Sequence, residues 1–242
     1  MNQIFRLGTC VLVLSFLTLG CGKKLSENDL PRPSARLVNN TQNFPGVVMI
    51  SGQELCTGTV VGSYTILTAS HCIKQNASIT VQTSVGPRTV TQVLKLGAGV
   101  EGDQNDLALL YLATPLSPDL IIPLASGVNP GDLVTIVGFG CNHSEALGAG
   151  GVKRAGMNVV SDISDFIEVT TPQLNIRAIA GPENRAGVCF GDSGGPLLKQ
   201  HQGQWVVVGV THGAYNDNSS QVSQFVDLHQ PTNRAFVSGY IR

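Results

Sequence analysis

Short runs of β-branched and apolar residues, separated by turns rich in Gly, Asn, Asp and Pro, dominate the chain from Val47 onward. Because no helical periodicity lies between these runs, the pattern predicts an all-β barrel or sandwich. The first runs cover residues 47–50, 57–68, 78–83, 88–96 and 106–112, and a second series covers 133–139, 157–160, 166–170, 204–210 and 224–228. One terminal helix is predicted from Thr232 to Ile241, with Thr232 as its N-cap.

The first 21 residues differ in character from the rest of the chain. Arg6 precedes an apolar run from Leu7 to Leu19, which is too short to span a bilayer and is typical of a secretory signal peptide. The segment ends in Leu-Thr-Leu-Gly-Cys, which resembles a bacterial lipobox. Two outcomes are open: Cys21 is lipidated and anchors an outer-membrane lipoprotein, or the protein is secreted free. Residues 22–36 are polar and are expected to form a propeptide or tether.

Charge and cysteine content narrow the function before any catalytic motif is considered. Lys and Arg number 15 against 16 Asp and Glu, so the formal net charge is -1 and no basic surface for nucleic acid is predicted. Of the six cysteines, Cys10 would leave with the signal peptide and Cys21 would carry the lipid. The remaining four, in an exported protein, are expected to form disulfides, for which three pairings exist.

The stretch Cys-Phe-Gly-Asp-Ser-Gly-Gly-Pro, which contains Ser193, is the strongest chemical signal in the chain. A serine hydroxyl needs a base and an oriented carboxylate before it becomes a nucleophile. His71 lies in Thr-Ala-Ser-His-Cys at the end of a strand-like run, and Asp106 opens the apolar run Asp-Leu-Ala-Leu-Leu. In this order and these contexts the three residues resemble the trypsin and chymotrypsin family of serine endopeptidases.

Two other interpretations of Ser193 compete with this one. The same residues satisfy the Gly-x-Ser-x-Gly elbow of α/β-hydrolases, which include serine esterases, but that fold requires the order Ser, Asp, His. Asp217 or Asp227 followed by His229 would supply this order, yet Pro196 leads into a strand-like run where an elbow serine is followed by a helix. The other alternative is a catalytically silent binding protein on a protease fold, although such chains usually lack the serine or the histidine.

The family resemblance covers residues 37–242 and implies two antiparallel six-stranded β-barrels of the chymotrypsin type with a C-terminal helix. The implied boundaries are about 37–125 for the N-terminal barrel, about 126–230 for the C-terminal barrel and about 232–241 for the helix. The resemblance also implies that His71 is the general base, that Asp106 orients it, and that the N–H groups of Gly191 and Ser193 form the oxyanion hole. It implies no metal and no organic cofactor.

The resemblance further implies a disulfide between Cys56 and Cys72 that staples the loop carrying the histidine. The second expected pair, Cys141 with Cys189, departs from the commonest pairing in the family. A zinc site at Cys56, His71 and Cys72 is the weaker alternative, because the chain has no Cys-x-x-Cys pair.

Asp192 has a separate implied role in activation. In the family, the aspartate before the nucleophile pairs with an α-ammonium group that proteolysis creates. Cleavage after Arg36 would create this group at Leu37, so a zymogen and a separate activating protease are expected.

A pocket for the substrate side chain is also implied. In the family, the residue six positions before the serine forms the base of this pocket. In this chain that residue is Gly187, which is not acidic. The substrates are therefore expected to be proteins or peptides cut beside an uncharged residue and not after Arg or Lys. His212 either lines the cleft or is only a polar residue of its strand. The enzyme is expected to be a monomer. The implied pocket residues are Gly187, Val188, Thr211, His212, Gly213 and Ser223.

Overall fold

The computed structural model describes residues 42–75, 77–125, 127–141, 150–172, 185–217 and 219–242. Four features predicted from the sequence lie outside these residues: the signal segment 1–21, the lipidation site Cys21, the tether 22–36 and the cleavage site at Arg36 and Leu37. Within the described residues, no helix is long and apolar enough to cross a membrane.

The first six strands close into an antiparallel barrel with the order β1-β2-β3-β6-β5-β4. They are β1 (Val47–Ser51), β2 (Leu55–Gly62), β3 (Thr65–Thr68), β4 (Thr80–Thr83), β5 (Gly86–Lys95) and β6 (Ala108–Leu112). Every residue of β3 and β6 is buried, which accounts for the continuous apolar character of these two segments.

The second barrel is also closed and antiparallel, with the order β10-β11-β12-β9-β8-β7. Its strands are β7 (Leu133–Gly138), β8 (Arg154–Ile163), β9 (Ile167–Pro172), β10 (Pro196–His201), β11 (Gln204–Asp217) and β12 (Ser220–Asp227). The prediction of two antiparallel six-stranded barrels with a C-terminal helix is therefore confirmed.

Individual boundaries differ from the prediction where a hairpin or a bulge interrupts a uniform sequence pattern. The run 57–68 is two strands, because the chain turns at Ser63 and Tyr64 and a register shift precedes the turn. Strand β11 continues past residue 210 to Asp217, where polar side chains replace the apolar pattern of its first half. The apolar run after Pro196 forms β10.

The helix α1 (Pro231–Tyr240) packs against the first barrel through Phe236 and Val237, which are both buried. The Tyr111 hydroxyl donates a hydrogen bond of 2.8 Å to the Tyr240 carbonyl. The predicted N-cap Thr232 was wrong: Pro231 begins the helix, and the N-cap is Gln230 with no side-chain capping bond. Proline suits the first helical position because it lacks an N–H group and its φ is already helical.

Candidate active site

The antiparallel pairing of β3 with β6 brings His71 next to Asp106. Thr68 at the end of β3 lies opposite Ala108 at the start of β6, so the residues just beyond both ends are neighbours. Asp106 Oδ2 lies 2.6 Å from His71 Nδ1, and Asp106 Oδ1 accepts a 2.9 Å hydrogen bond from the His71 backbone N–H. The two residues are thus joined through both carboxylate oxygens.

Asp106 is fully buried, and its ionised form depends on its hydrogen bonds. Burial alone would raise the pKa of this carboxyl group. Hydrogen bonds from His212 and His71 act in the opposite direction and outweigh burial, so the pKa of Asp106 lies well below its ordinary value. Asp106 is therefore a carboxylate at neutral pH.

The sequence left two positions open for His212, in the cleft or as a polar residue of its strand, and the structure places its ring against Asp106. Its Nδ1 lies 2.7 Å from Asp106 Oδ2, and its ring stacks on Phe166 with centroids 5.0 Å apart. The pairing of β11 with β12 shifts by one residue between Thr211 and Gly213, and the extra residue of this bulge is His212. The bulge directs the imidazole to Asp106.

Ser193 lies in a loop whose backbone is held from both barrels. The Thr57 N–H of β2 donates to the Ser193 carbonyl at 2.8 Å, and the Gly194 N–H donates to the Thr211 carbonyl at 2.8 Å. Gly191 and Gly194 have φ values of 102° and 78°, which glycine adopts without strain. A side chain at Gly194 would also overlap the Thr68 hydroxyl.

Two N–H groups of this loop remain without an internal acceptor. In the described part of the chain, neither the Gly191 N–H nor the Ser193 N–H donates a hydrogen bond to a protein atom. Both residues border a cleft of about 490 Å³ that His71 also lines. Among the same described residues, Ser193 Oγ makes no hydrogen bond to His71, and such bonds often tighten only when substrate is bound. Among the described residues, the cleft is lined by Glu54, Leu55, Cys56, His71, Cys141, Gly150, Phe190, Gly191 and Ser193.

Thr57 links the cleft to the interface of the two barrels, and the sequence analysis did not identify it. Its hydroxyl donates a 2.8 Å hydrogen bond to the Gly191 carbonyl and accepts one of 3.1 Å from the Phe139 N–H. The Thr57 side chain is fully buried. Since its partners lie 134 and 82 residues away, no local pattern could have found it.

The carboxylate of Asp192 lies in an enclosure formed by Gly138, Gly140 and Cys189. Its two oxygens each accept a 2.8 Å hydrogen bond, one from the Gly140 N–H and one from the Cys189 N–H. A Cβ atom at Gly138 or Gly140 would overlap this carboxylate. Burial raises the pKa of Asp192 to about 6, although these hydrogen bonds and the nearby Arg154 act against the rise.

Two disulfides flank the site with the expected pairings, Cys56 to Cys72 and Cys141 to Cys189. The first joins β2 to the turn that carries His71. The second ties the segment after β7 to the loop of Ser193, and the Cys141 N–H also donates to the Phe190 carbonyl at 2.9 Å. Because Cys56 and Cys72 are joined in a disulfide, they offer no thiolate ligand for zinc. Disulfides of this kind fit an exported protein.

The residues around Gly187 form a second polar region beside the Ser193 loop. A Cβ atom at Gly187 would overlap the amide oxygen of Gln221 and lie 3.1 Å from the Thr171 hydroxyl oxygen. The Ser223 hydroxyl accepts a 3.1 Å hydrogen bond from the Val188 N–H. The Gln221 Oε1 atom is buried and has no hydrogen-bond partner in the described structure. Gln221 is a further residue that the sequence analysis did not single out.

Within the same region, the expected pocket residues differ in their surroundings. Thr211 is 1% exposed, and its hydroxyl is buried without a hydrogen-bond partner among the described residues. A Cβ atom at Gly213 would meet no atom within 4 Å, so this position borders open space. Val188 is buried in the core of the second barrel.

Two closed barrels, with Ser193 and His71 at one cleft and Asp106 buried against His71, are typical of serine-type endopeptidases with the chymotrypsin fold. The model of the Trypsin family matches residues 37–233, and the chain belongs to this family. It is 26% identical to cathepsin G of Mus musculus over 212 residues, which are 79% of each chain. It is also 26% identical to an uncharacterized peptidase of Corynebacterium glutamicum (strain R) over 151 residues, 60% of this chain and 50% of that protein.

A solved structure of a Glu endopeptidase in complex with MPD has a similar fold. The TM-score is 0.62 at 14% sequence identity, with 84% of this chain and 95% of that chain covered. The comparison confirms the fold class, and the family membership confirms a serine endopeptidase whose substrates are proteins or peptides.

Proposed function

We propose that Ser193 is the nucleophile, that His71 is its general base and that Asp106 orients His71. The observation that carries this proposal is the 2.6 Å contact between Asp106 Oδ2 and His71 Nδ1 beside a cleft that Ser193 lines. When His71 carries its proton on Nδ1 and hydrogen-bonds it to Asp106, its Nε2 atom is unprotonated and can accept the proton of Ser193. The buried carboxylate then stabilises the imidazolium that forms.

Peptide hydrolysis proceeds through an acyl-enzyme. Ser193 Oγ forms a bond to the scissile carbonyl carbon while its proton passes to His71 Nε2. The C–N bond then breaks, and the imidazolium protonates the leaving amine. A water molecule, deprotonated by His71 in turn, attacks the ester carbon. The C–O bond to Ser193 then breaks, and the imidazolium returns the proton to Ser193 Oγ.

The oxyanion that forms in each step is stabilised by the Gly191 and Ser193 N–H groups. The absence of internal acceptors for these two groups in the described structure supports this role, since a preorganised donor must be available. The hydrogen bond from the Thr57 hydroxyl to the Gly191 carbonyl and the disulfide at Cys189 restrain the same loop. Removal of one donor of this kind typically lowers kcat by about a hundredfold or more.

The primary pocket accepts an uncharged side chain. Its proposed base is Gly187, and the surrounding polar atoms come from Gln221, Ser223 and Thr171, none of which carries a charge. No carboxylate is present among these residues to pair with Arg or Lys. Val188, Thr211 and Gly213 complete the proposed walls of this pocket.

The enzyme is made as a zymogen that is activated by cleavage after Arg36. The new α-ammonium group of Leu37 then pairs with Asp192. The enclosure around Asp192 supports this proposal, because a carboxylate whose pKa is raised to about 6 by burial is stabilised by a cationic partner. Since the proposed pocket does not accept Arg, a separate protease that cleaves after Arg performs the activation.

The chain is exported, and Cys21 anchors it to the outer membrane until this cleavage occurs. If the precursor is lipidated at Cys21, the cut after Arg36 separates the lipid from the protease domain. A membrane fraction that retains active, cleaved enzyme would contradict this part of the proposal. The cleaved domain is proposed to act as a monomer.

The decisive experiment is a cleavage profile on a mixed peptide library. The precursor is treated with trypsin, the trypsin is removed, and the products are compared with those of a Ser193→Ala precursor treated identically. We expect new amide cleavages in the first sample only, beside uncharged residues. Hydrolysis of esters without amide cleavage would favour an esterase, and no hydrolysis in either sample would favour a binding protein.

A further inference from the structure

One carboxylate oxygen of Asp106 contacts two imidazole rings. Oδ2 lies 2.6 Å from His71 Nδ1 and 2.7 Å from His212 Nδ1, while Oδ1 accepts the His71 backbone N–H. The side chain of His212 is 9% exposed, against 21% for His71. The second ring is thus the more deeply buried of the two and lies on the side of Asp106 that belongs to the second barrel.

The orientation of the His212 ring is set by its neighbours. Phe166 stacks on it with an interplanar angle of 12°, and the His71 ring meets it edge-on at 82° with centroids 6.1 Å apart. The bulge at His212 in β11 directs the side chain to the first barrel. Aromatic contacts on two sides and a hydrogen bond to Asp106 leave the ring little rotational freedom.

We propose that His212 is a positioning residue for the general base. It acts by donating its Nδ1–H to Asp106 Oδ2 and so holds this oxygen where it meets His71 Nδ1. The inference rests on the proposed role of Asp106 in the triad and extends it across the barrel interface. A hydrogen bond from the second barrel then makes the geometry of the base, which lies in the first barrel, depend on the docking of the two barrels.

His212 also weakens the electrostatic effect of the Asp106 carboxylate on the His71 ring. A donor on Oδ2 withdraws negative charge from the carboxylate, and a protonated His212 would in addition repel an imidazolium at His71. Both effects weaken the attraction between Asp106 and a positively charged His71 ring. In the described structure, Asp106 and His71 lie directly against the His212 ring.

The test compares two substitutions with opposite consequences for the hydrogen bond. His212→Asn places an amide N–H close to the former Nδ1 position, whereas His212→Leu keeps apolar contact with Phe166 and removes the donor. His212→Gln, whose amide reaches the former Nε2 position, is the second donor-deficient variant if the leucine variant does not fold. Thermal unfolding of each variant shows whether it folds. The peptidase activity of wild type, compared with that of Ser193→Ala, tests the proposed function itself.

We expect the leucine and glutamine variants to lose ~10- to 100-fold in kcat with little change in KM, the size typical of a lost hydrogen bond to a charged group. The asparagine variant should retain most of the activity, and the acid limb of kcat/KM should move to higher pH in the leucine variant. A kcat of His212→Leu within threefold of wild type would overturn the proposal. Equal losses of kcat in all three variants, with no shift of the acid limb of kcat/KM, would also overturn it. Inactive wild type would instead count against the proposed function.

Discussion

The precursor should become less stable as the pH rises from about 4 to about 6, because of Asp192. The ordinary pKa of an Asp side chain is 3.8, whereas burial raises the pKa of Asp192 to about 6 in the folded protein, where its carboxylate lies between Gly138 and Gly140. In this pH window the folded chain keeps a proton that the unfolded chain has already lost. The contribution of Asp192 to folded stability is therefore fully present below pH 3.8 and is lost as the pH rises through about 6.

The size of this effect follows from the two pKa values. At 1.36 kcal/mol for each factor of ten in proton affinity, the difference between 3.8 and about 6 amounts to at most about 3 kcal/mol. This is a large part of the stability of an ordinary domain, which is about 5–15 kcal/mol. Cleavage after Arg36 should remove the loss, because the α-ammonium group of Leu37 favours the ionised form of Asp192.

The assay is urea denaturation between pH 4 and pH 7 in a Ser193→Ala background, which prevents self-digestion. The precursor is compared with the same precursor carrying Asp192→Asn, before and after cleavage at Arg36. Subtraction of the asparagine curve removes the contributions of the other carboxyl groups. A precursor whose pH slope equals that of Asp192→Asn, or a difference between the two slopes that is equally large after cleavage, would contradict this prediction.

Two further predictions concern the loop of Ser193 and the pocket. Thr57→Val leaves the Gly191 carbonyl and the Phe139 N–H without their hydroxyl partner, at a cost of about 2–3 kcal/mol. A fall in Tm of about 4–12 °C and in kcat of ~10-fold is expected, while Thr57→Ser stays near wild type; a valine variant that melts with wild type would contradict this. Gly187→Asp alone should give no cleavage after Arg, because the new side chain meets Gln221. The double variant with Gln221→Gly should gain at least ~10-fold in kcat/KM for an Arg substrate, and equal Arg cleavage by the single variant would exclude this role of Gln221.

The sequence could predict the parts of the molecule that depend on local patterns. Runs of β-branched residues indicated an all-β barrel or sandwich, because each strand's pattern lies within a few neighbouring residues. The contexts of His71, Asp106 and Ser193 carried the family resemblance, which implied two barrels and a cleft between them. The pairing of β3 with β6 then explains why His71 and Asp106 meet although 35 residues separate them.

The parts that could not be predicted depend on register and on distant partners. A shift of one residue in β11 places His212 against Asp106, and the strand pattern on either side carries no sign of this bulge. Thr57 and Gln221 have their roles through contacts with the Ser193 loop and Gly187 across the fold. The N-cap was missed because Pro231 favours the first helical position one residue earlier than Thr232.

Covalent labelling with a fluorophosphonate tests whether Ser193 is a nucleophile activated by His71 and Asp106. The protein is labelled before and after cleavage at Arg36, and the modified peptide is identified by mass spectrometry. We expect labelling at Ser193 after cleavage and its loss in His71→Ala, with thermal unfolding of that variant as the control for folding. Absence of label at Ser193 in the cleaved enzyme, or undiminished labelling of a folded His71→Ala variant, would show that Ser193 is not a nucleophile activated in this way.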